Sequence, residues 1–163
     1  MAVECKLNSS LRGRPLIVGG QSRRGVVAAC SYEARRFGVH SAMPMYLALQ
    51  LCPDAKVISG DMEAYSRHSH EVTQIIADNV PAFEKASIDE FYVDASGMDK
   101  FFGAFKWAKE IQSKIIKESG LPISLGMSVN KTISKIATGE FKPNATALIE
   151  EGQEQAFLDP LAV

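Results

Sequence analysis

Four consecutive residues carry the strongest chemical signal in the chain: Ser87-Ile88-Asp89-Glu90, continued by Phe91-Tyr92-Val93-Asp94. Adjacent carboxylates repel one another, and both stay ionised at low cost only where a cation compensates them. Hard oxygen donors of this kind suit Mg2+, which is held by one or two carboxylates together with substrate phosphates. Successive strand residues face opposite ways, so Asp89 and Glu90 can serve one ion only at a bend or hairpin corner. The apolar Ile88 and the Phe91-Tyr92-Val93 run predict burial around the pair, and buried carboxylates need a partner. The same residues also suit a solvated Asp-Glu turn, because Asp is a common turn residue.

A second set could bind phosphate. In Ser31-Tyr32-Glu33-Ala34-Arg35, Tyr32 and Arg35 are three apart and share a helix face. A hydroxyl, a guanidinium and the free amides of a first helical turn make a triphosphate cradle; a half-buried Tyr beside a surface Arg is the plainer alternative. Lys142, in Lys142-Pro143-Asn144, follows a helix end. It either reaches a phosphate as a point charge or caps the last helical carbonyls. Arg23 and Arg24 form a basic turn suited to solvent or to a nucleic-acid backbone.

The elements that must position these groups follow from periodicity and punctuation. Apolar runs closed by glycines or turn residues predict strands over residues 15–20, 26–31 and 55–59. A short helix follows Ser31 and stops at Gly38. Another opens after Pro44 and covers residues 45–51. Asp61 caps a long helix running to about Asn79, with Tyr65, His68, Val72, Ile75, Ile76 and Asn79 on one face. Residues 83–87 and 90–94 pair as a hairpin around Ile88-Asp89. Residues 104–119 form an amphipathic helix with Ala104, Ala108, Ile111 and Ile115 inward and Gly120 as its stop. A strand over 122–127, a helix capped by Ser128 or Asn130 and halted before Pro143, and a strand over 145–149 complete the order. Helices that return a chain to one sheet give a split βαβ arrangement.

Composition sets outer limits. The 163 residues suffice for one domain or two small ones. No run approaches the ~20 apolar residues of a membrane helix, and residues 1–4 lack the start of a signal peptide. Three widely spaced cysteines and three histidines offer no zinc spacing, which predicts free thiols in a reducing cytoplasm. Net charge is −1, yet residues 1–60 carry eight Lys/Arg against three Asp/Glu (+5), and residues 61–163 carry ten against sixteen (−6). A basic lobe beside an acidic one suits a site where phosphates meet metal-binding carboxylates, although an ordinary mixed surface has the same totals.

Taken together, the motifs carry a resemblance. Arg12-Gly13-Arg14-Pro15, Val18-Gly19-Gly20, residues 31–39 from Ser31-Tyr32-Glu33-Ala34-Arg35 onward, and Ser41-Ala42-Met43-Pro44 resemble the fingers of Y-family translesion DNA polymerases. Ser87-Ile88-Asp89-Glu90 with Tyr92-Val93-Asp94 is similar to that family's metal motif. Gly126-Met127-Ser128-Val129-Asn130-Lys131, Lys135-Ile136-Ala137 and Lys142-Pro143-Asn144 resemble its closing palm segment. The match runs through nearly the whole chain in order and is nearest to the bacterial DNA polymerase IV (DinB, ImpB/MucB/SamB) branch.

The resemblance implies an α+β fold: fingers over residues 1–60, a palm with a ferredoxin-like βαββαβ sheet over 61–150, and the start of a thumb linker over 151–163. It implies that Asp89 ligates catalytic Mg2+ in a two-metal site, that Glu90 ligates it or polarises at the 3′-hydroxyl end, and that Tyr32, Arg35 and Lys142 hold the incoming triphosphate. Val26, Ala28 and Ala42 would form a small, permissive roof over the nascent base pair. The implied reaction is two-metal phosphoryl transfer onto a primer 3′ end during damage bypass. The implied partners are primer-template DNA, deoxynucleoside triphosphates and, in a longer protein, a sliding clamp. The family's opening strand, Asp-x-Asp-x-Phe-Phe or similar, supplies a further metal-binding Asp, whereas the first Asp here is Asp54. The expectation is therefore a chain lacking the first palm strand, the thumb and the little finger, inactive by itself, with palm surface free to form a dimer. A nucleotide- or partner-binding module without catalysis is the alternative. A cyclase-like palm is a third reading, which the Ser-Tyr-Glu-Ala-Arg segment argues against.

Overall fold

The computed structural model describes residues 1–22, 24–98 and 103–161; Arg23 of the basic turn lies outside them. The chain divides into two compact units, Met1–Ser66 and a second from Arg67 onward. Among the described residues, no helix is long and apolar enough to cross a membrane.

The first unit opens with α1 (Ala2–Leu7) and a 3-10 turn (Ser9–Leu11). Its sheet holds β1 (Leu16–Gly19), β2 (Val27–Cys30) and β3 (Lys56–Ile58) in the order β2-β1-β3. β1 pairs antiparallel with β2 and parallel with β3. β1 is central, so three of its four residues are buried; the edge strand β2 buries only Val27 and Cys30 and exposes Ala28. The short helices α2 (Tyr32–Arg35) and α3 (Met45–Leu51) pack against this sheet, and Ile17, Val27, Ala34, Val39, Met45 and Ala48 lie in the core. Cys5, Cys30 and Cys52 are free thiols, the last two buried.

One hydroxyl ties this unit together. Ser31 is buried, and its Oγ donates to the Arg14 carbonyl at 3.0 Å while accepting from the amides of Leu16 (3.0 Å) and Ala34 (3.3 Å). The Ala34 bond is the N-cap of α2, so the residue that starts the helix also fixes it to β1.

The boundary between the units falls within α4 (Met62–Ala77), which starts where expected: the Ala64 amide donates to Asp61 Oδ1 at 2.9 Å. In the second unit, β4 (Phe83–Lys85) and β5 (Phe91–Val93) form an antiparallel hairpin. α5 (Ala104–Ser119) buries Ala104, Ala108, Gln112, Ile115 and Ser119 and ends on the left-handed Gly120. β6 (Leu125–Met127), α6 (Lys131–Phe141) and β7 (Thr146–Leu148) make a parallel crossover, followed by α7 (Glu154–Leu158). Gln112 reaches from α5 to this pair: its Nε2 donates to the carbonyls of Ile123 (3.0 Å) and Ala145 (3.1 Å), and Thr146 Oγ1 donates to its Oε1.

Asn130, one of two candidate caps, is the N-cap of α6, its side chain accepting from the Ile133 amide at 2.9 Å. The described strands of the second unit pair as two separate ladders, β4-β5 and β6-β7, where the element order predicts one sheet. Strands of three residues form few ladder bonds, and periodicity encodes which face a strand buries but not which neighbour it takes. The expected burial around Asp89 is also corrected: Ile88 is 42% exposed and Val93 37%. A two-stranded hairpin keeps one side open to water, so its apolar residues do not by themselves bury its corner.

Candidate functional site

Asp89 and Glu90 do sit at a hairpin corner. The amides of Ala86 and Ser87 donate to the Glu90 carbonyl at 3.0 and 3.3 Å, which closes the turn and lifts Asp89 to its exposed tip. Ser87 Oγ donates to Asp89 Oδ1 at 2.9 Å. Glu90 engages different partners. Tyr92 Oη donates to its Oε1 at 2.8 Å, and Lys135 Nζ donates to its Oε2.

The strand register explains that set. Glu90 and Tyr92 are two apart and share a face, and Tyr92 lies opposite Glu84 across the ladder. Lys131 and Lys135 are one helical turn apart on α6 and meet this acidic face. Lys131 pairs with Glu84 and lies 5.4 Å from the Tyr92 ring centroid, while Lys135 pairs with Glu90. The result is a ladder of alternating charge between the hairpin and α6.

Electrostatics follow from these contacts. The Lys135 ammonium, and next the Tyr92 hydroxyl, hold the Glu90 carboxyl below the usual carboxylate range, and the charge of Lys142 acts in the same direction. The Tyr92 phenol is raised in turn by the carboxylate it serves. Lys142 is thus within electrostatic reach of Glu90, at the C-terminal end of α6. Asp94 is held low by the Ser96 hydroxyl and amide, a turn of its own.

As metal donors, Asp89 and Glu90 are hard, accessible oxygens at one corner, the chemistry Mg2+ prefers. Their side chains offer two carboxylate donor groups. Among the described residues, no group of three or more His, Cys, Asp or Glu is arranged to hold a metal. The donor set therefore fits Mg2+ bound with substrate phosphates and water rather than in an all-protein cage.

In the first unit, Tyr32 and Arg35 are exposed and adjacent, with the Arg35 guanidinium carbon 5.9 Å from the Tyr32 ring centroid. Val26 and Ala28 share the open face of the β2 segment, Val26 being 52% exposed. Ala42 joins them through its amide, which donates to the Val27 carbonyl at 2.8 Å. It adopts φ 68°, the left-handed region that a β-carbon disfavours.

Sequence reasoning assigned no role to Lys135, Lys131 or Tyr92. The four-residue spacing of the lysines was a readable signal, but their acidic partners lie more than forty residues away. It also missed Tyr65 Oη donating to Glu4 Oε1 at 2.5 Å within the first unit, a bond that, after burial, raises the phenol to about 12.

Comparison with known proteins finds relatives in both sequence and structure. Residues 1–139 match the model of the impB/mucB/samB family. DNA polymerase IV of Treponema denticola is 45% identical over 161 residues, spanning 98% of this chain and 41% of that protein. DNA polymerase IV of Listeria monocytogenes (strain EGD-e) is 42% identical over 164 residues, spanning 99% and 46%. The chain thus spans less than half the length of these relatives. Among solved structures, DinB from Sulfolobus solfataricus superposes with a TM-score of 0.87 at 31% identity, over 96% of this chain and 47% of that one. An insertion ternary complex of Dbh DNA polymerase gives 0.88 at 31%, over 99% and 48%. With most of its length matched in sequence and its backbone superposing on Y-family polymerases, this chain belongs to the impB/mucB/samB family.

Proposed function

We propose that this chain supplies the metal-binding corner and the triphosphate contacts of a translesion DNA polymerase, which adds deoxynucleotides to a primer 3′ end. The observation that carries the reading is the Asp89-Glu90 corner facing the lysines of α6. Negative oxygens for a cation and positive groups for phosphates then lie within one unit. Asp89 and Glu90 hold Mg2+, which when bound neutralises developing charge on the reacting phosphoryl group. Lys142 contributes a point charge to the triphosphate. In the first unit, Tyr32 offers a hydroxyl and Arg35 a planar fork that pairs two phosphate oxygens at once. Val26, Ala28 and Ala42 present a surface of small side chains to the nascent base pair. Such a roof excludes little, which suits copying past a distorted template base. Primer-template DNA is the partner, held by phosphate contacts whose strength falls with salt.

The test is primer extension with Mg2+ and all four deoxynucleotides. The protein is T. denticola DNA polymerase IV in which this chain replaces the matched 41%. The chimera extends primers, and Asp89→Ala lowers the rate by roughly 10²-fold or more, the scale of losing one charge-stabilising group. A chimera that never extends, or an Asp89→Ala chimera as fast as its parent, overturns the proposal and leaves the binding-module reading in its place.

A further inference from the structure

Glu90 is satisfied twice over before any metal arrives: Tyr92 holds one carboxylate oxygen and Lys135 the other. The Lys135 ammonium and a divalent cation are both positive, so they repel each other and compete for the same lone pairs. We infer that Lys135 is a positioning residue that neutralises Glu90 while the corner is metal-free and yields that carboxylate to the incoming divalent cation. The inference rests on the proposed metal role of Asp89 and Glu90.

Three features single out Lys135. It makes the direct bond to Glu90, whereas Lys131 is committed to Glu84 and Lys142 acts through charge alone. It stands on α6, whose Asn130 N-cap fixes where its side chain begins. Its side chain is 55% exposed, which lets it swing into water without unpacking anything, while Glu90 is 27% exposed and is also held by Tyr92. With the ion gone, Lys135 restores neutrality at Glu90 and relieves its repulsion with Asp89. With the ion bound, the freed ammonium stands beside a site built for phosphates.

The sign of the effect separates this role from simple support. A lysine that only holds Glu90 in place strengthens metal binding, so its removal weakens it. A competing lysine does the opposite. Mn2+ affinity is measured by electron paramagnetic resonance on the chain itself, in wild type, Lys135→Gln, Lys131→Gln, Glu90→Gln and the Lys135→Gln/Glu90→Gln double variant. Lys135→Gln binds Mn2+ about threefold more tightly, the range of an exposed ion pair. Lys131→Gln, which removes the same charge one turn away, changes affinity by much less. In the Glu90→Gln background the Lys135 effect disappears. Unchanged, weakened or undetectable Mn2+ binding in Lys135→Gln, an equal gain in Lys131→Gln, or a gain that survives Glu90→Gln overturns the inference. If Glu90→Gln binds Mn2+ as well as wild type while Lys135→Gln still tightens it, the metal role of Glu90 fails instead.

Discussion

Gly126→Ala should be the most damaging conservative change in the second unit. Gly126 is the middle residue of β6, and α6 lies flush against it. A β-carbon there would stand 2.4 Å from the Ser134 carbonyl oxygen, 2.6 Å from Thr138 Oγ1 and 2.8 Å from the Thr138 amide nitrogen. The closest approach is roughly 1 Å inside ordinary contact distance. Two of the three obstructing atoms belong to the helix backbone, so no rotamer change relieves the clash and α6 must move. Overpacking in a closed site costs about 1–3 kcal/mol, and a rigid obstacle puts this case at the upper end, about 3 kcal/mol. Gly139→Ala is the matched control. It lies on the same helix with nothing within 4 Å of its would-be β-carbon. There the methyl adds helix propensity without collision and stabilises by about 0.5–1 kcal/mol. Urea unfolding followed by the fluorescence of Trp107, the single tryptophan, reports both. With a slope near ~2 kcal/mol/M, Gly126→Ala lowers the midpoint by about 1.5 M and Gly139→Ala raises it slightly. A Gly126→Ala midpoint within about 0.3 M of wild type, or the two variants moving alike, refutes the close packing of α6 on β6.

Two further outcomes follow from single contacts. Asn130→Ala removes the cap whose side chain accepts from Ile133, and lowers stability by about 1 kcal/mol in the same urea assay. Tyr65 loses its proton near 10 when unfolded and about 12 when folded, so its contribution is complete below pH 10 and is lost as pH rises through 12. With partial screening that contribution is about 1–2 kcal/mol. Tyr65→Phe therefore flattens the fall in thermal stability between these two pH values, measured by circular dichroism.

How much of this could be read from residues varies by element. Helices bounded by Pro or Gly and carrying an apolar stripe were legible, because their signals are local: residues 45–51 and 104–119 match α3 and α5 residue for residue. The Asp61 cap and the hairpin corner at Asp89 belong to the same class. The arrangement of β4-β5 and β6-β7 as two ladders was not legible, since strand partners are chosen by packing at long range. The exposure of Ile88 misled for a related reason: an apolar residue at a turn is buried only if another element covers it. The Lys135–Glu90 contact joins residues 45 apart and depends on how α6 packs beside the hairpin, which no local signal encodes. The family motifs named Asp89 and Glu90 and included Lys135; only the structure shows Lys135 bonded to Glu90.

The claim that residues 87–92 and the α6 lysines form one metal and nucleotide site is tested most directly by paramagnetic mapping. Mn2+ with a deoxynucleoside triphosphate is added to the 15N-labelled chain, and amide line broadening is followed by NMR. The account predicts that the amides of residues 87–92 broaden first, together with those around Lys135 and Lys142, and that Asp89→Ala abolishes the effect. Sharp signals at residues 87–92 while other regions broaden would contradict it.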